Sequence, residues 1–140
     1  MKKLLIATLI ALSPLSVHAT NWVDIGSTSN FIYHINRDSI QTHYFTGGGT
    51  YITAWVKRDY HQAQELSNGK KYWQTRAFSY YDCVARKSDF DYVIYYDKQS
   101  NSVDSFKRYV STHSSKDWTR AVPDTVGEGK LDYACSQAGR

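Results

Sequence analysis

The stretch TYITAWVK, residues 50–57, decides the fold of this chain. Its even positions are small or aliphatic and its odd positions are aromatic or polar, in the order Tyr51, Ile52, Thr53, Ala54, Trp55 and Val56. Successive side chains of a β-strand point to opposite faces of the sheet. The alternation therefore predicts a strand with one face in a core and an amphipathic aromatic face on the other side.

Further strands are predicted on both sides of this stretch, separated by turn residues. They cover residues 22–25, 31–35, 40–45, 72–86, 92–97 and 102–110. Ser67-Asn68-Gly69 is the clearest turn because Asn-Gly readily takes positive φ. The Gly47-Gly48-Gly49 triplet predicts a flexible hairpin tip. Strands punctuated this evenly predict an antiparallel meander of about six strands.

The C-terminus is the part of the chain with a helical pattern. Thr125 and Glu128 have the spacing of a capping box. Leu131, Ala134, Cys135 and Ala138 follow at helical spacing and share one face. The odd positions of residues 72–86 are mostly small, which suits a sheet face beneath a helix. The sequence thus predicts an α+β fold whose C-terminal helix packs on one face of the sheet.

The first 19 residues have the three regions of a secretory signal peptide: basic Lys2 and Lys3, an apolar run, and a small residue, Ala19, at the cleavage site. The apolar run is shorter than the roughly twenty residues that a membrane span needs. No cysteine follows it, so no lipid anchor is expected. We therefore expect one exported domain, residues 20–140, whose net charge falls from +4 to +2 with the two lysines removed.

Cys83 and Cys135 are the two cysteines of the chain. In an exported protein oxidation is the default, so we predict a disulfide that joins the C-terminal helix to the long strand. Closing a loop of this length stabilises the fold by roughly 4 kcal/mol in the loop-entropy model. The alternative, Cys83 as a nucleophile with a histidine base, finds no recognisable active-site context around it.

No motif in the chain predicts catalysis, a metal or another cofactor. The histidines show no metal-binding spacing, and Asp89 and Asp91 are typical of solvated or capping acids at a strand end rather than of an acid/base pair. The basic residues occur in scattered pairs such as Lys57-Arg58, whereas nucleic-acid binding needs a concentrated basic stripe. A non-enzymatic protein without nucleic-acid partners is expected.

The chain holds 12 Tyr, 5 Phe and 4 Trp, and this excess suggests a contact surface. The predicted binding face consists of strand aromatics and a neighbouring basic pair: Tyr51, Trp55, Tyr72, Phe78, Tyr80, Lys57 and Arg58, with Tyr92 and Tyr96 as an extension. Aromatic side chains with polar tips are enriched where a surface meets another molecule. The alternative is that these rings pack as cross-strand pairs on a partly covered sheet.

Short motifs in a fixed order carry a resemblance that spans nearly all of the mature chain. They are Trp22, residues 33–40 (YHINRDSI), 54–57 (AWVK), 81–83 (YDC) with Arg86, 93–97 (VIYYD), Trp118, Pro123 and Cys135. This set resembles the surface-adhesin protein E family of Gram-negative bacteria. The resemblance implies a six-stranded antiparallel sheet with a disulfide-linked C-terminal helix. It also implies non-enzymatic binding of host extracellular-matrix and plasma proteins at the cell surface, with a homodimer among the implied states.

The absent lipid-attachment cysteine sets this chain apart from the founding adhesin of that family, which lipid holds in the outer membrane. Two functional hypotheses follow. In the first, an exported, periplasmic or secreted adhesin-like module binds a protein partner. In the second, a periplasmic protein maintains the envelope, for example as an inhibitor of lysozyme-like enzymes.

Overall fold

The computed structural model describes residues 20–139, so the predicted signal peptide lies outside the described residues. Within that range eight strands form one antiparallel sheet with the order β1-β2-β4-β5-β6-β7 across it. The strands are β1 (Trp22–Ser27), β2 (Phe31–Asn36), β3 (Gln41–Tyr44), β4 (Thr50–Glu65), β5 (Lys71–Asp82), β6 (Lys87–Tyr96), β7 (Ser102–Lys107) and β8 (Thr119–Arg120). The prediction of an antiparallel meander is confirmed.

The two short strands β3 and β8 do not widen the sheet. β3 pairs with the first residues of β4, and β2 pairs with residues farther along the same edge of that strand. β8 and β7 share one edge of β6 in the same way. The sheet is therefore six strands wide, as predicted. A single 3-10 turn, Arg37–Ser39, links β2 to β3.

The prediction of one strand over residues 72–86 was wrong at its end. β5 stops at Asp82, and residues 83–86 form a turn that leads directly into β6. The Asp82 carboxylate accepts hydrogen bonds from the backbone N–H groups of Val84 and Ala85, at 3.0 and 2.9 Å. Arg86 closes the turn with a φ of 58°. Periodicity cannot locate such a turn because side-chain capping creates it.

Thr125 caps the N-terminus of the helix α1 (Val126–Gln137), and its hydroxyl accepts a hydrogen bond from the Glu128 N–H at 3.3 Å. The Glu128 carboxylate accepts a hydrogen bond from the N–H of Asp124, whereas a standard capping box would have it accept from the N–H of Thr125. This half of the predicted capping box is therefore displaced by one residue. Leu131 is fully buried in the main core.

The main core lies between α1 and one face of the sheet, which we call the helix face. Its buried members are Tyr33, Ile35, Ile52, Ala54, Val56, Tyr81, Leu131 and Ala134. The predicted disulfide between Cys83 and Cys135 is present and joins the β5–β6 turn to α1. A helix of this length extends about 18 Å, and it packs against β1, β2, β4 and β5. The part of the helix face formed by β6 has no such helical cover.

A second, smaller core lies on the opposite face of the sheet, which we call the outer face. Phe45, Tyr51, Val110 and Trp118 form it, and Tyr80 packs against it. The loop before β8 covers this core and also holds the glycine tip, since the Gly47 N–H donates to the His113 carbonyl at 3.0 Å. Residues 47–49 thus lie at the tip of the β3–β4 hairpin, as predicted, with Gly47 in contact with the loop before β8, and the flexibility of the tip stays a prediction.

Candidate functional site

The structure divides the predicted binding face between the two faces of the sheet. Five of the seven residues lie on the outer face, namely Tyr51, Trp55, Lys57, Phe78 and Tyr80. Tyr72 and Arg58 lie on the helix face, where they line one cavity with Lys130 of α1. For Arg58 the cause is simple alternation, because it is two residues beyond Val56 of the main core.

Tyr72 lies on the helix face, although its even position in β5 predicts the outer face, and the pairing of β4 with β5 beside it is irregular. The register runs without interruption to Asp59 opposite Gln74 and resumes with Gln64 opposite Tyr72. The extra residues lie in β4 and not in β5, so the sheet is distorted beside Tyr72. A single binding face that contains both Tyr72 and Trp55 is therefore wrong, although the contact role of each residue remains a prediction.

Tyr51 and Tyr80 serve the second core rather than a surface. Tyr51 is 9% exposed and contacts Phe45 and Trp118, with ring centroids 4.8 and 5.9 Å apart. The Tyr80 hydroxyl donates a hydrogen bond to Asp91 at 2.8 Å. Burial, then the neighbouring Asp91 carboxylate, raises the pKa of Tyr80. For these two residues the alternative interpretation, aromatic packing on a covered part of the sheet, is the better one.

The centre of the outer face carries a half-buried aromatic cluster of Trp55, Phe78 and Tyr92. The Trp55 ring lies 5.3 Å from that of Phe78 and 6.1 Å from that of Tyr92, both in edge-to-face geometry. These rings line a shallow depression together with Lys107 and neighbouring polar side chains. We call Trp55, Phe78, Tyr92 and Lys107 the outer-face cluster.

The position of Trp55 depends on the gap between β3 and β2. Trp55 lies between the segments of β4 that pair with these two strands, and its N–H donates to the Ser39 hydroxyl at 2.9 Å. The Ser39 hydroxyl in turn donates to the Asn36 carbonyl at 2.7 Å. The 3-10 turn thus supplies a hydrogen-bond acceptor for the backbone N–H of Trp55, which has no strand partner on that side.

Cations lie over aromatic rings along the outer face. Lys107 Nζ is 4.8 Å from the centroid of the Tyr92 ring, and the Arg76 guanidinium is 4.5 Å from that of Tyr96. Within residues 20–139, Arg76 and Lys107 form no ion pair, whereas Lys57 pairs with Asp59 at 3.2 Å. Such cation–π contacts place a positive charge directly beside the apolar surface of an aromatic ring.

Arg76 and Lys107 were not among the predicted residues. The alternation along residues 72–86 placed Arg76 on the same face as Phe78, so a search for cations beside the aromatic positions would have found it. Lys107 had no comparable signal. Its proximity to Tyr92 depends on the register of β6 with β7, which pairs these two residues directly.

The cavity on the helix face contains the two displaced residues. Its aromatic lining consists of Tyr33, Tyr60, Tyr72, Tyr95 and Phe90, its cations are Arg58 and Lys130, and its volume is about 310 Å³. The Tyr72 ring lies 5.6 Å from that of Tyr60 and 4.9 Å from that of Tyr95. We call this cavity the tyrosine pocket. The predicted strand ended at Lys57 and so did not reveal this pocket, although Arg58 and Tyr60 continue the alternation of residues 52–56.

Burial changes the ionisation of the groups in the tyrosine pocket. Burial, and then the charge of Arg58, lowers the pKa of Lys130 to about 8. Burial raises the pKa of Tyr33 and of Tyr72, and for Tyr72 the neighbouring phenols Tyr60 and Tyr95 add to that effect. Near neutral pH Lys130 is therefore mainly charged, and the phenols of Tyr33 and Tyr72 are neutral.

Two kinds of feature are absent from the part of the chain that the structure describes. Residues 20–139 contain no group of three or more His, Cys, Asp or Glu side chains arranged to hold a metal ion. Over the same range α1 is too short and too polar to cross a lipid bilayer, and no other helix there could do so.

Comparison with known proteins agrees with the strand and helix order. The family model described as surface-adhesin protein E matches residues 22–136, from the first residue of β1 almost to the end of α1. The chain belongs to the surface-adhesin protein E family. No curated protein and no solved structure matches it significantly.

Membership of the surface-adhesin protein E family indicates the general role of the chain. It suggests an exported, non-enzymatic, adhesin-like protein that binds a protein partner. The matched region contains both the outer-face cluster and the tyrosine pocket, so the family assignment alone does not select between these two surfaces.

Proposed function

We propose that this adhesin-like protein binds an acidic surface of a host extracellular-matrix or plasma protein through the outer-face cluster. The observation that carries the proposal is the half-exposed group of Trp55, Phe78 and Tyr92 with Lys107 beside it. No helix of the described chain covers this group, because α1 packs on the opposite face.

The composition of the cluster is that of an interface centre. Trp, Tyr and Arg dominate the residues that carry most of the binding energy in protein complexes. The rings are already held in edge-to-face contacts, so docking a partner costs little side-chain entropy. Phe78 also packs edge-to-face against Tyr80, which adjoins the second core on the same face.

The charges of the outer face favour an acidic partner. Arg76 and Lys107 lie on this face without an ion-pair partner among the described residues, whereas Asp91 already accepts a hydrogen bond from Tyr80. Carboxylates of a partner would form ion pairs with these two cations at the rim of the aromatic centre. Complementary rim charges of this kind accelerate association and make it sensitive to salt.

The test is binding to a panel of immobilised host extracellular-matrix and plasma proteins by surface plasmon resonance. We expect at least one member to bind, and we expect the double variant Trp55→Ala with Lys107→Ala to weaken that binding by at least about tenfold. Tyr44→Ala is the matched control, since Tyr44 is an aromatic residue of β3 that is 80% exposed and outside the cluster. Equal affinity of wild type and the double variant would overturn the proposal.

A second copy of the chain is the competing occupant of this face. Sedimentation of the purified protein distinguishes the two cases. A dimer that the double variant dissociates would show that the cluster serves self-association and would contradict a host partner at this site.

We also propose that the protein reaches the outside of the cell after removal of residues 1–19. Antibody labelling of intact cells, compared with fractionation into periplasm and medium, tests this location. Protein found only in the periplasm, with no labelling of intact cells and none in the medium, would contradict it.

A further inference from the structure

The tyrosine pocket has a layout that the proposed outer-face function does not use. Small side chains of β5 form its floor, including Ala77 and Ser79, which leave room above the sheet. The helix covers one side of this space and contributes Lys130, whereas β6 contributes Val93 and Tyr95 on the other side. The resulting cavity of about 310 Å³ is at the lower end of the range for small-molecule sites.

The two cations of the pocket lack acidic partners. Among residues 20–139 neither Arg58 nor Lys130 forms an ion pair, and the nearby helix acids Glu128 and Asp132 both pair with Arg86. In the adjoining cavity, Asp89 pairs with Arg108. Two half-buried like charges without a counter-charge are costly unless a ligand supplies one.

Arg58 is held in place by aromatic neighbours. Its guanidinium donates hydrogen bonds to the hydroxyl oxygens of Tyr33 and Tyr60, the second at 2.9 Å. The guanidinium carbon also lies 4.6 Å from the ring centroids of both Phe31 and Tyr33. Its Nε–H is buried and has no partner. The side chain is therefore fixed, and its Nε–H remains without an acceptor.

The polar groups in this part of the pocket are mainly hydrogen-bond donors. Because the Tyr33 and Tyr60 oxygens accept from Arg58, their hydroxyl hydrogens are free to turn toward a further acceptor. Lys130, whose Nζ lies 4.6 Å from the centroid of the Tyr33 ring, adds an ammonium group. A negatively charged oxygen pair is the group that satisfies such a set of donors.

We propose that the tyrosine pocket binds a small organic carboxylate with a flat apolar body. The carboxylate pairs with Arg58 and Lys130. The body lies against the rings of Tyr72 and Tyr95 and the side chain of Val93, which form the apolar part of the lining. A free aromatic acid and the C-terminal carboxylate of a short peptide that ends in an aromatic residue present the same chemistry.

The experiment uses isothermal titration calorimetry with phenylacetate as the probe. Phenylacetamide is the matched neutral probe, and inorganic phosphate tests for binding of any anion. We expect phenylacetate to bind at least about tenfold more tightly than either one. A second titration uses the peptide Gly-Gly-Phe with a free C-terminal carboxylate. Tighter binding of this peptide than of phenylacetate would show that the carboxylate bound by the pocket is the C-terminus of a peptide.

Variants of one residue separate binding from folding. Lys130→Gln should weaken phenylacetate binding by at least about tenfold, and Lys130→Arg should keep it within about threefold of wild type. Without ligand, Lys130→Gln should melt no lower than wild type, because it removes a buried charge. Lys116→Gln, at an exposed position of the loop before β8, is the control and should bind phenylacetate as wild type does. Equal binding of phenylacetate and phenylacetamide, or unchanged binding by Lys130→Gln, would overturn the proposal.

Discussion

The hydroxyl of Ser115 donates a 2.6 Å hydrogen bond to the buried carboxylate of Asp82. The other oxygen of that carboxylate caps the turn that carries Cys83. One side chain therefore ties together the turn with the disulfide and the loop that covers the second core. Hydrogen bonds of Asp82 therefore link the segments that cover the two cores of this small protein.

We expect Asp82→Ala to lower the free energy of unfolding by about 2 to 4 kcal/mol. The substitution leaves the Ser115 hydroxyl buried without a partner and removes the cap of the turn. Urea denaturation followed by tryptophan fluorescence measures the change. Asp117→Ala, at an exposed position of the same loop, is the control and should stay within about 0.5 kcal/mol of wild type. Similar effects of the two substitutions would contradict the role of Asp82.

Removal of the disulfide should destabilise the fold strongly. The bond closes a separation of 52 residues, for which the loop-entropy model gives roughly 4 kcal/mol. We expect the double variant Cys83→Ser with Cys135→Ser to unfold at a much lower urea concentration than the oxidised wild type. Reduction of the wild type with dithiothreitol should give the same midpoint as the variant. Two free thiols in the unreduced, denatured wild type would contradict the bond.

Gly47 is required for the contact between the β3–β4 loop and the loop before β8. A Cβ at this position would lie 2.7 Å from the backbone oxygen of His113, so the two loops would have to separate. We expect Gly47→Ala to cost roughly 1 to 3 kcal/mol in a thermal-unfolding measurement. Gly129→Ala in α1 is the same substitution with only ordinary contact, 3.7 Å from the Ile25 oxygen. It should instead stabilise by about 1 kcal/mol or less, and a loss from it equal to that from Gly47→Ala would refute the clash.

Stability should depend on pH through Lys130. Burial and the Arg58 charge lower its pKa to about 8 in the folded protein, whereas an unfolded lysine titrates near 10.4. Between these values the unfolded chain holds a proton that the folded protein lacks, so stability rises with pH across this window. The raised pKa of Tyr33 keeps its phenol neutral across this window.

The measurement for Lys130 compares urea unfolding of wild type and Lys130→Gln at about pH 7 and about pH 9.5. Wild type should gain roughly 1 to 2 kcal/mol relative to the variant between the two conditions. A difference between the two proteins that does not change with pH would contradict a depressed pKa for Lys130.

Part of the candidate surface could be predicted from local pattern. Trp55 and Phe78 alternate with small or aliphatic residues along β4 and β5, so their shared face follows from the period of a strand. Tyr72 could not be placed in this way, because it lies on the helix face at a point where the pairing of β4 with β5 is irregular. Tyr51 and Tyr80 have the same pattern as Trp55, yet the loop that bears Trp118 covers them. Their burial depends on a contact between distant segments, which periodicity does not record.

The sequence by itself determined the antiparallel sheet and the C-terminal helix, because alternation and turn chemistry depend on residues that are close together in the chain. It also determined the pairing of Cys83 with Cys135, because the chain has no other cysteine. The tertiary structure alone decided which aromatic residues remain accessible and where the cations gather. Lys130 meets Arg58 only because α1 lies across the extended β4, and Lys107 meets Tyr92 only through the register of β6 with β7. Contacts of this kind depend on the packing of elements far apart in the chain.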